Sequence, residues 1–203
     1  PLWLYVRKLR GKEDAKRIRE RYGFASKPRP AGALLWIHAA SVGEANSVLM
    51  FIQKLKETLP ELSIIITTGT VTSARLLASR LPKDVIHQYV PLDTAEYTLR
   101  FMRHWKPEIA LFVESELWPN LILTANAYQC FMGIINGRMS ERSFASWQKR
   151  AAMIRKLMGC FNIVFAQNEE DKKRYKILGA KHADYIGNLK FDAGLLPCNE
   201  GDL

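Results

Sequence analysis

The sequence predicts an α/β domain built on a Rossmann-like, doubly wound parallel sheet. Three observations support this class: short apolar runs recur along the chain, these runs are apolar throughout, and stretches of helical period separate most of them. A strand that is apolar throughout is buried on both faces, which is typical of a parallel sheet covered by helices. The regular alternation of strands and helices favours the doubly wound arrangement.

Seven segments are predicted to be strands. In chain order they are 33–38 (ALLWIH), 63–68 (SIIITT), 85–90 (VIHQYV), 109–113 (IALFV), 131–136 (FMGIIN), 162–167 (NIVFAQ) and 183–187 (ADYIG). The stretch 45–58 is typical of the intervening helices, because Val48, Phe51, Ile52 and Leu55 recur at the spacing of one helical face. We expect that face to pack on the sheet.

Composition excludes several classes of protein. The 203 residues are 48% hydrophobic and 25% charged, which is typical of a folded globular chain. Cys130, Cys160 and Cys198 lie far apart, so neither a metal site nor a disulfide framework is predicted. The longest apolar runs are strand-sized, whereas a membrane-spanning helix needs about 20 apolar residues. The glycine-rich fingerprints of dinucleotide-binding and P-loop proteins are absent.

Positive charge is concentrated at the start of the chain. Residues 1–30 carry ten basic and three acidic side chains, a net of +7 out of +10 for the whole chain. We predict a basic, membrane-proximal helical segment over 1–30, with the apolar Leu2, Trp3, Leu4 and Tyr5 at the lipid interface. Charge alone also allows a solvated basic helix without a partner, or an arm that binds nucleic acid.

The turns that follow the predicted strands are the places to look for a ligand site. The carboxyl ends of parallel strands lie at one edge of the sheet, and doubly wound domains bind their ligands there. We call this edge the rim. Its predicted turns are HAASVGEA, TGTVTSA, ESELWPN, GRMSERS and NEED, which follow the first, second, fourth, fifth and sixth strands.

Glu44, in the turn after the first strand, allows two interpretations. Ser41 and Glu44 have the spacing of a capping box, in which each side chain accepts a hydrogen bond from an unpaired backbone N–H at the start of a helix. Alternatively, Glu44 faces the cleft and takes a proton from a substrate hydroxyl. The spacing does not separate the two. Gly43 would let a ligand approach the backbone closely.

Charged side chains in two further turns favour a polar substrate that carries anionic groups. Glu114 and Glu116 directly follow a buried strand, and they point to the same side if the chain is still extended there. One of them would otherwise complement the dipole of the helix that follows. Arg138 and Arg142 lie on a third turn and would meet anionic groups such as phosphates.

Several blocks, taken in order, resemble one family. HAASVGE (38–44), ESELWPN (114–120), INGRMSERS (135–143), AQNEED (166–171) with LGA (178–180), and GNLKFD (187–192) are similar to the 3-deoxy-D-manno-octulosonic acid (Kdo) transferases of lipopolysaccharide synthesis. The basic stretch 11–23 resembles the segment that follows that family's membrane anchor. The ordered set covers nearly the whole chain and is highly specific.

The resemblance implies a GT-B glycosyltransferase, of which this chain is the N-terminal, acceptor-binding half. Residues 31–192 would form the domain that binds a lipid A precursor, and 193–203 would begin a linker to a C-terminal domain, absent here, that binds the donor CMP-Kdo. The chain alone would then be inactive. It would lie at the cytoplasmic face of the inner membrane, on an anionic surface, through an anchor that is absent from this sequence.

The resemblance also implies roles for particular residues. Glu44 matches the family's general base in an inverting transfer that uses neither metal nor cofactor. Glu116 is favoured over Glu114 as the second functional carboxylate, while Ser41 and Gly43 shape the turn. The alternative is a non-catalytic domain whose basic arm binds a polyanion. Acidic turns on the rim argue against nucleic acid as the partner, because they would repel phosphates.

Overall fold

The computed structural model describes residues 4, 6, 7 and 11–187, and it forms one parallel sheet of seven strands in this range. The strands are β1 (Leu34–His38), β2 (Ser63–Thr68), β3 (Ile86–Tyr89), β4 (Ile109–Val113), β5 (Phe131–Gly137), β6 (Ile163–Ala166) and β7 (Ala183–Tyr185). Each lies within, or one residue beyond, a predicted strand. The Rossmann-like fold prediction is confirmed.

Eight α-helices connect the strands within the described range. They are α1 (Val42–Ser47), α2 (Leu49–Thr58), α3 (Val71–Arg80), α4 (Ala95–Trp105), α5 (Pro119–Ala127), α6 (Glu141–Gln148), α7 (Ala151–Met158) and α8 (Glu169–Ile177). The predicted helix over 45–58 is therefore two helices joined at Val48. Val48 and Ile52 are fully buried and Phe51 and Leu55 are partly buried, as the apolar spacing predicted.

Strand order determines where the rim can bind a ligand. The order is β3-β2-β1-β4-β5-β6-β7, and every pair is parallel. The chain therefore winds outward from β1 to β3, returns to the middle at β4, and winds outward the other way. A crevice opens where the winding reverses, between the carboxyl ends of β1 and β4. The turns that carry Glu44 and Glu116 flank this crevice.

Helices cover both faces of the sheet, so the core has two layers. Side chains of α1, α2 and α3 pack on one face, around Ile37 and Ile66. The other face packs against α4, α5, α7 and α8 and contains an aromatic group in which the ring of Trp36 lies 5.0 Å from Phe101 and 5.3 Å from Phe112. Such rings bury large apolar areas, and this group fixes the middle of the sheet.

The N-terminal segment packs on the edge of the sheet as part of the same unit. Between residues 11 and 30 its helical part is a 3-10 helix, Ile18–Tyr22, and the residues described before residue 11, which are Leu4, Val6 and Arg7, are α-helical. Glu20, at 1% exposure, accepts a hydrogen bond from the backbone N–H of Tyr89 at 2.7 Å and forms an ion pair with Arg17 at 2.8 Å. The segment is thus bound to β3 by buried polar contacts.

Many of the basic side chains are engaged inside the protein. Glu13, which is buried, forms ion pairs with Arg7 at 2.6 Å and Arg21 at 3.4 Å. Arg29 donates to the carbonyl of Trp105 at 2.7 Å. The charge pattern did not predict these contacts. The carbonyl partner of Arg29 lies 76 residues away in the sequence, and Glu13 was counted only as one of three acids in a basic segment. The positive charge free to meet a membrane or an anion is smaller than the sequence suggests.

The proposed lipid-facing side chains need one correction. Of Leu2, Trp3, Leu4 and Tyr5, the structure describes Leu4, and its side chain is 1% exposed. Leu4 is therefore part of the core and does not face lipid. The other three, and the predicted linker at 193–203, lie outside the described residues. No helix within the described residues is both long and apolar enough to span a bilayer.

We predict that Glu20→Ala lowers the free energy of unfolding by about 3 kcal/mol, because it leaves Arg17 and the Tyr89 N–H without their buried partner. Urea unfolding measures the change. Glu96→Ala is the matched control, since Glu96 pairs with Arg100 on the exposed face of α4, and it should cost less than about 0.5 kcal/mol. Equal losses in the two variants would contradict a structural role for Glu20.

Candidate active site at the centre of the rim

The turn after β1 holds Glu44 between two hydrogen-bond donors. Ser41 is the N-cap of α1, and its Oγ accepts a hydrogen bond from the Glu44 N–H at 3.2 Å. In return the Ser41 hydroxyl donates to Glu44 Oε1 at 2.6 Å, and the Ala40 N–H donates to Oε2 at 2.9 Å. The predicted cap is confirmed for Ser41. For Glu44 the partner is the Ala40 N–H and not the expected N–H of the N-cap residue.

The carboxylate of Glu44 remains able to accept another hydrogen bond. Each of its two oxygens has one partner, and a carboxylate oxygen accepts two. Glu44 is 6% exposed, and the three residues before it, Ser41, Val42 and Gly43, are exposed. A Cβ on Gly43 would meet nothing closer than 4.0 Å, so the packing of this chain does not require glycine there. Capping and a role in the cleft are compatible.

Burial changes the acidity of Glu44. Loss of solvation raises its pKa to about 7, the negative charges of Glu116 and Glu114 act in the same direction, and the hydrogen bonds from Ser41 and Ala40 oppose the rise. A pKa near 7 is well suited to a general base, because the group is partly ionised at neutral pH and still basic enough to take a proton.

The turn after β4 brings its two carboxylates towards Glu44. Glu114 has a φ of 57°, in the left-handed region, so the chain turns sharply there and the condition of an extended backbone is not met. Its N–H donates to the carbonyl of Ile135, and its own carbonyl accepts from the hydroxyl of Tyr175 at 2.9 Å. These contacts from β5 and α8 hold a backbone conformation that is strained for a residue other than glycine.

Glu116 lies two residues after Glu114 in the same turn. Its Oε2 accepts a hydrogen bond from Trp118 Nε1 at 2.6 Å. Burial raises the pKa of Glu116, the Trp118 bond lowers it, and the charge of Glu114 raises it. Glu44 and Glu116 are thus two carboxyl groups whose pKa values are raised by burial and by negative charges nearby. Such groups cluster at functional sites.

Asp93 is a positioning residue that sequence reasoning missed. Its carboxylate accepts hydrogen bonds from the N–H groups of Asn120 at 3.2 Å and Leu121 at 2.8 Å, at the first turn of α5. Asp93 therefore complements the helix dipole, a role that the sequence offered to Glu114 or Glu116. The sequence did contain a signal for this contact. Asp93 is an acidic residue in the turn after the third strand, and that turn also lies at the rim.

His38 lies beneath the site as a neutral core residue. It is fully buried, and its ring meets that of Trp118 edge to face at 5.4 Å between ring centres. Its Nδ1 lies 3.0 Å from Thr67 Oγ1, and burial lowers its pKa to about 3. His38 thereby supports the indole that binds Glu116.

The two arginines lie further along the rim. Arg138 follows β5 and Arg142 lies in the first turn of α6, and both side chains are exposed. Their ligands stay a prediction. Among residues 4, 6, 7 and 11–187, no group of three or more His, Cys, Asp or Glu side chains has the arrangement of a metal site.

Comparison with protein families gives a match over most of the chain. A family model described as 3-deoxy-D-manno-octulosonic-acid transferase (kdotransferase) matches residues 16–193. The chain belongs to the Kdo transferase family. It is 38% identical over 200 residues to the 3-deoxy-D-manno-octulosonic acid transferase of Rickettsia bellii, covering 98% of this chain and 48% of that protein. The chain thus spans about half the length of this relative.

Other relatives support the same assignment to the Kdo transferases. A probable mitochondrial 3-deoxy-D-manno-octulosonic acid transferase of Arabidopsis thaliana is 36% identical over 189 residues, with coverage of 91% of this chain and 42% of that protein. The UDP-GlcNAc 2-epimerase of Neisseria meningitidis has a TM-score of 0.57 at 17% identity, over 80% of this chain and 48% of that structure. The likeness to the epimerase concerns the fold alone.

The raised pKa of Glu44 predicts a specific dependence of stability on pH. Glu44 binds its proton more tightly when folded (about 7) than when unfolded (about 4.5), so its contribution is complete below pH 4.5 and is lost as pH rises to 7. Relative to Glu44→Gln, the wild type should lose about 2 to 3 kcal/mol of unfolding free energy between pH 4.5 and 8. Chemical denaturation at a series of pH values measures this difference.

Glu141→Gln is the control for that series, because Glu141 is an exposed acid in the first turn of α6. Its series corrects for the removal of one exposed carboxylate. A pH-independent difference for Glu44→Gln would mean that the pKa of Glu44 is not raised.

Proposed function

We propose that this chain is the acceptor-binding half of an inverting transferase that moves Kdo from CMP-Kdo to a lipid A precursor, with Glu44 as general base. The observation that carries the proposal is the position of Glu44. Its buried carboxylate lies at the crevice where the strand order reverses, and it has a pKa near 7 and free acceptor capacity on both oxygens. The membership in the Kdo transferase family supplies the class of reaction.

In the proposed step, a sugar hydroxyl of the acceptor donates its hydrogen bond to Glu44. As the carboxylate takes the proton, the hydroxyl oxygen forms a bond to the anomeric carbon of Kdo on the face opposite the leaving group. The bond from that carbon to the phosphate oxygen of CMP breaks, and CMP leaves with the electron pair. Glu44 then releases the proton to solvent. Assistance of this kind contributes about 10² to 10⁴ in rate.

The neighbouring carboxylate would tune this base. Glu116 raises the pKa of Glu44 by charge repulsion, and the Trp118 bond fixes its orientation. We therefore favour Glu116 over Glu114 as the second functional carboxylate. The side chain of Glu116 accepts from Trp118, and its charge affects the pKa of Glu44 more than the charge of Glu114 does. Ser41 holds the base, and Gly43 leaves space above it.

The remaining parts of the proposal concern the acceptor and its surroundings. Arg138 and Arg142, both exposed on the rim, would bind phosphate groups of the acceptor. The basic N-terminal segment would lie near the anionic cytoplasmic face of the inner membrane. CMP-Kdo would bind to a second domain, and the reaction would need no metal or cofactor. The alternative, a non-catalytic domain whose basic arm binds a polyanion, has less support. Several arginines of that arm are bound to acidic side chains or carbonyl groups of the same chain.

We predict that Glu44→Gln in the full-length enzyme lowers kcat for Kdo transfer at least a hundredfold, while the affinity for the lipid A precursor is retained. Glutamine has the shape of the side chain but is not a base. Transfer from CMP-Kdo to the precursor is the assay, with Glu141→Gln as the control of unchanged activity. Near-normal turnover in Glu44→Gln would leave Glu44 as a helix cap.

A separate prediction distinguishes the two carboxylates of the turn after β4. Glu116→Gln removes a negative charge beside Glu44, so the pKa of Glu44 falls and the acid limb of the profile of kcat/KM against pH moves to lower pH. Glu114→Gln should move it in the same direction by a smaller amount, because the charge of Glu116 has the larger effect. A larger shift in Glu114→Gln would reverse the assignment.

A further inference from the structure

A series of hydrogen bonds begins at Arg17 in the N-terminal segment and passes through β3. The guanidinium Nη1 lies 3.0 Å from Nδ1 of His87, and Nη2 donates to the His87 carbonyl at 2.8 Å. A guanidinium has donors and no acceptor, so Nδ1 of His87 is the acceptor and Nε2 carries the hydrogen. That Nε2–H donates to Thr68 Oγ1 at 2.9 Å. Burial and Arg17 lower the pKa of His87 to about 3, which keeps it neutral.

The series continues from Thr68 across the rim to the turn that holds Glu44. Thr68 is the last residue of β2, and its carbonyl accepts from the Val90 N–H at 2.9 Å. The next residue, Gly69, donates its N–H to the carbonyl of Ala40 at 3.0 Å. Ala40 in turn donates its own N–H to Glu44 Oε2 at 2.9 Å.

The contact between Gly69 and Ala40 is unusually close. A Cβ on Gly69 would lie 3.2 Å from the Ala40 carbonyl oxygen, tighter than an ordinary side-chain contact. The two turns therefore meet backbone to backbone, with no side chain between them. A displacement of Thr68 and Gly69 moves the Ala40–Ser41 peptide, which is joined through the Ala40 Cα to the peptide whose N–H donates to Glu44.

We propose that Arg17, His87 and Thr68 are positioning residues for Glu44, which set the geometry of the Ala40 N–H through the turn after β2. The catalytic consequence rests on the function proposed above. These hydrogen bonds join the basic N-terminal segment to the turn of the candidate base, although Arg17 packs beside the edge strand β3. The sequence alone gave Arg17 the role of a surface charge.

The physical effect is on the ionised form of Glu44. A backbone N–H that donates to a carboxylate stabilises the charge and lowers the pKa. The Ala40 N–H does this against the effect of burial. If the turn moves and this bond lengthens, the pKa of Glu44 rises above 7. Fewer molecules then have an ionised base at neutral pH, whereas activity at high pH is retained.

The other charged groups around Glu44 do not share this route. Glu116 and Glu114 act on it from the turn after β4. Helix α3 packs against α1 and carries two charged side chains, of which Arg80 binds Asn46 and Arg75 lines a cavity beside Arg17. The charged residues of α2 are engaged elsewhere, in the pairs Lys54 with Glu57 and Lys56 with Asp84.

The test uses two variants of the full-length enzyme. Thr68→Val removes the hydroxyl that accepts from His87 but keeps a branched side chain. Arg17→Met removes the guanidinium that donates to His87 but keeps an unbranched side chain. The first readout is the titration of the Glu44 carboxyl carbon by ¹³C NMR, assigned with Glu44→Gln. The second is the acid limb of kcat/KM for Kdo transfer. We expect both midpoints to rise by about one pH unit, which lowers kcat/KM about fivefold at pH 7 and leaves it unchanged above pH 9.

Two further variants control for general loosening of the fold. Thr68→Ser retains the hydroxyl and should restore both midpoints to wild-type values, and Ile65→Val trims a buried side chain of the same strand and should not move them. An unshifted NMR midpoint in both Thr68→Val and Arg17→Met would overturn the positioning role. A shifted NMR midpoint with an unshifted rate profile would support positioning and contradict Glu44 as the base.

Discussion

The parallel pairing of β1 with both β2 and β4 is the constraint on which the rest of the structure depends. His38 at the end of β1 pairs with Thr67 of β2 on one side and with Phe112 of β4 on the other. The three following turns must therefore meet at one point of the rim. Because β1 and β4 are neighbours in space but not in sequence, carboxylates 70 residues apart in the chain come to share one crevice. A slip in either register would separate Glu44 from Glu116.

The electrostatics of the site follow from this crowding. Glu44 loses solvent because it is enclosed by its own turn, and it gains repulsion from the acids of the turn after β4. Two donors, Ser41 and Ala40, keep the carboxylate ordered without occupying all of its acceptor positions. The same side chain can thus cap a helix and act as a base, because capping uses one acceptor position on each oxygen. A carboxylate at an exposed N-terminus would be held less firmly and would be less basic.

The sequence predicted the elements better than the contacts between them. Apolar runs located all seven strands, and the spacing of Ser41 and Glu44 located a helix start, because these signals are local. The order of the strands in the sheet cannot be read from local sequence. The proximity of the two acidic turns was therefore expected only from the general rule that the carboxyl ends of parallel strands lie at one edge of the sheet. The engagement of Arg17 with His87 depends on a partner 70 residues away, and the cap that Asp93 provides to α5 spans 27 residues. Charge counting treated such side chains as free surface charge, and the structure shows that they hold the fold together.

A structure of the full-length Glu44→Gln enzyme with a lipid A precursor bound tests directly whether Glu44 is the base. We expect the attacking sugar hydroxyl to lie within about 3.2 Å of the side-chain oxygen of residue 44, with Ser41 and Ala40 still in place around it. A hydroxyl bound instead against Glu116 or Glu114, with residue 44 contacting only its own turn, would rule out Glu44 as the base and leave it with a structural role.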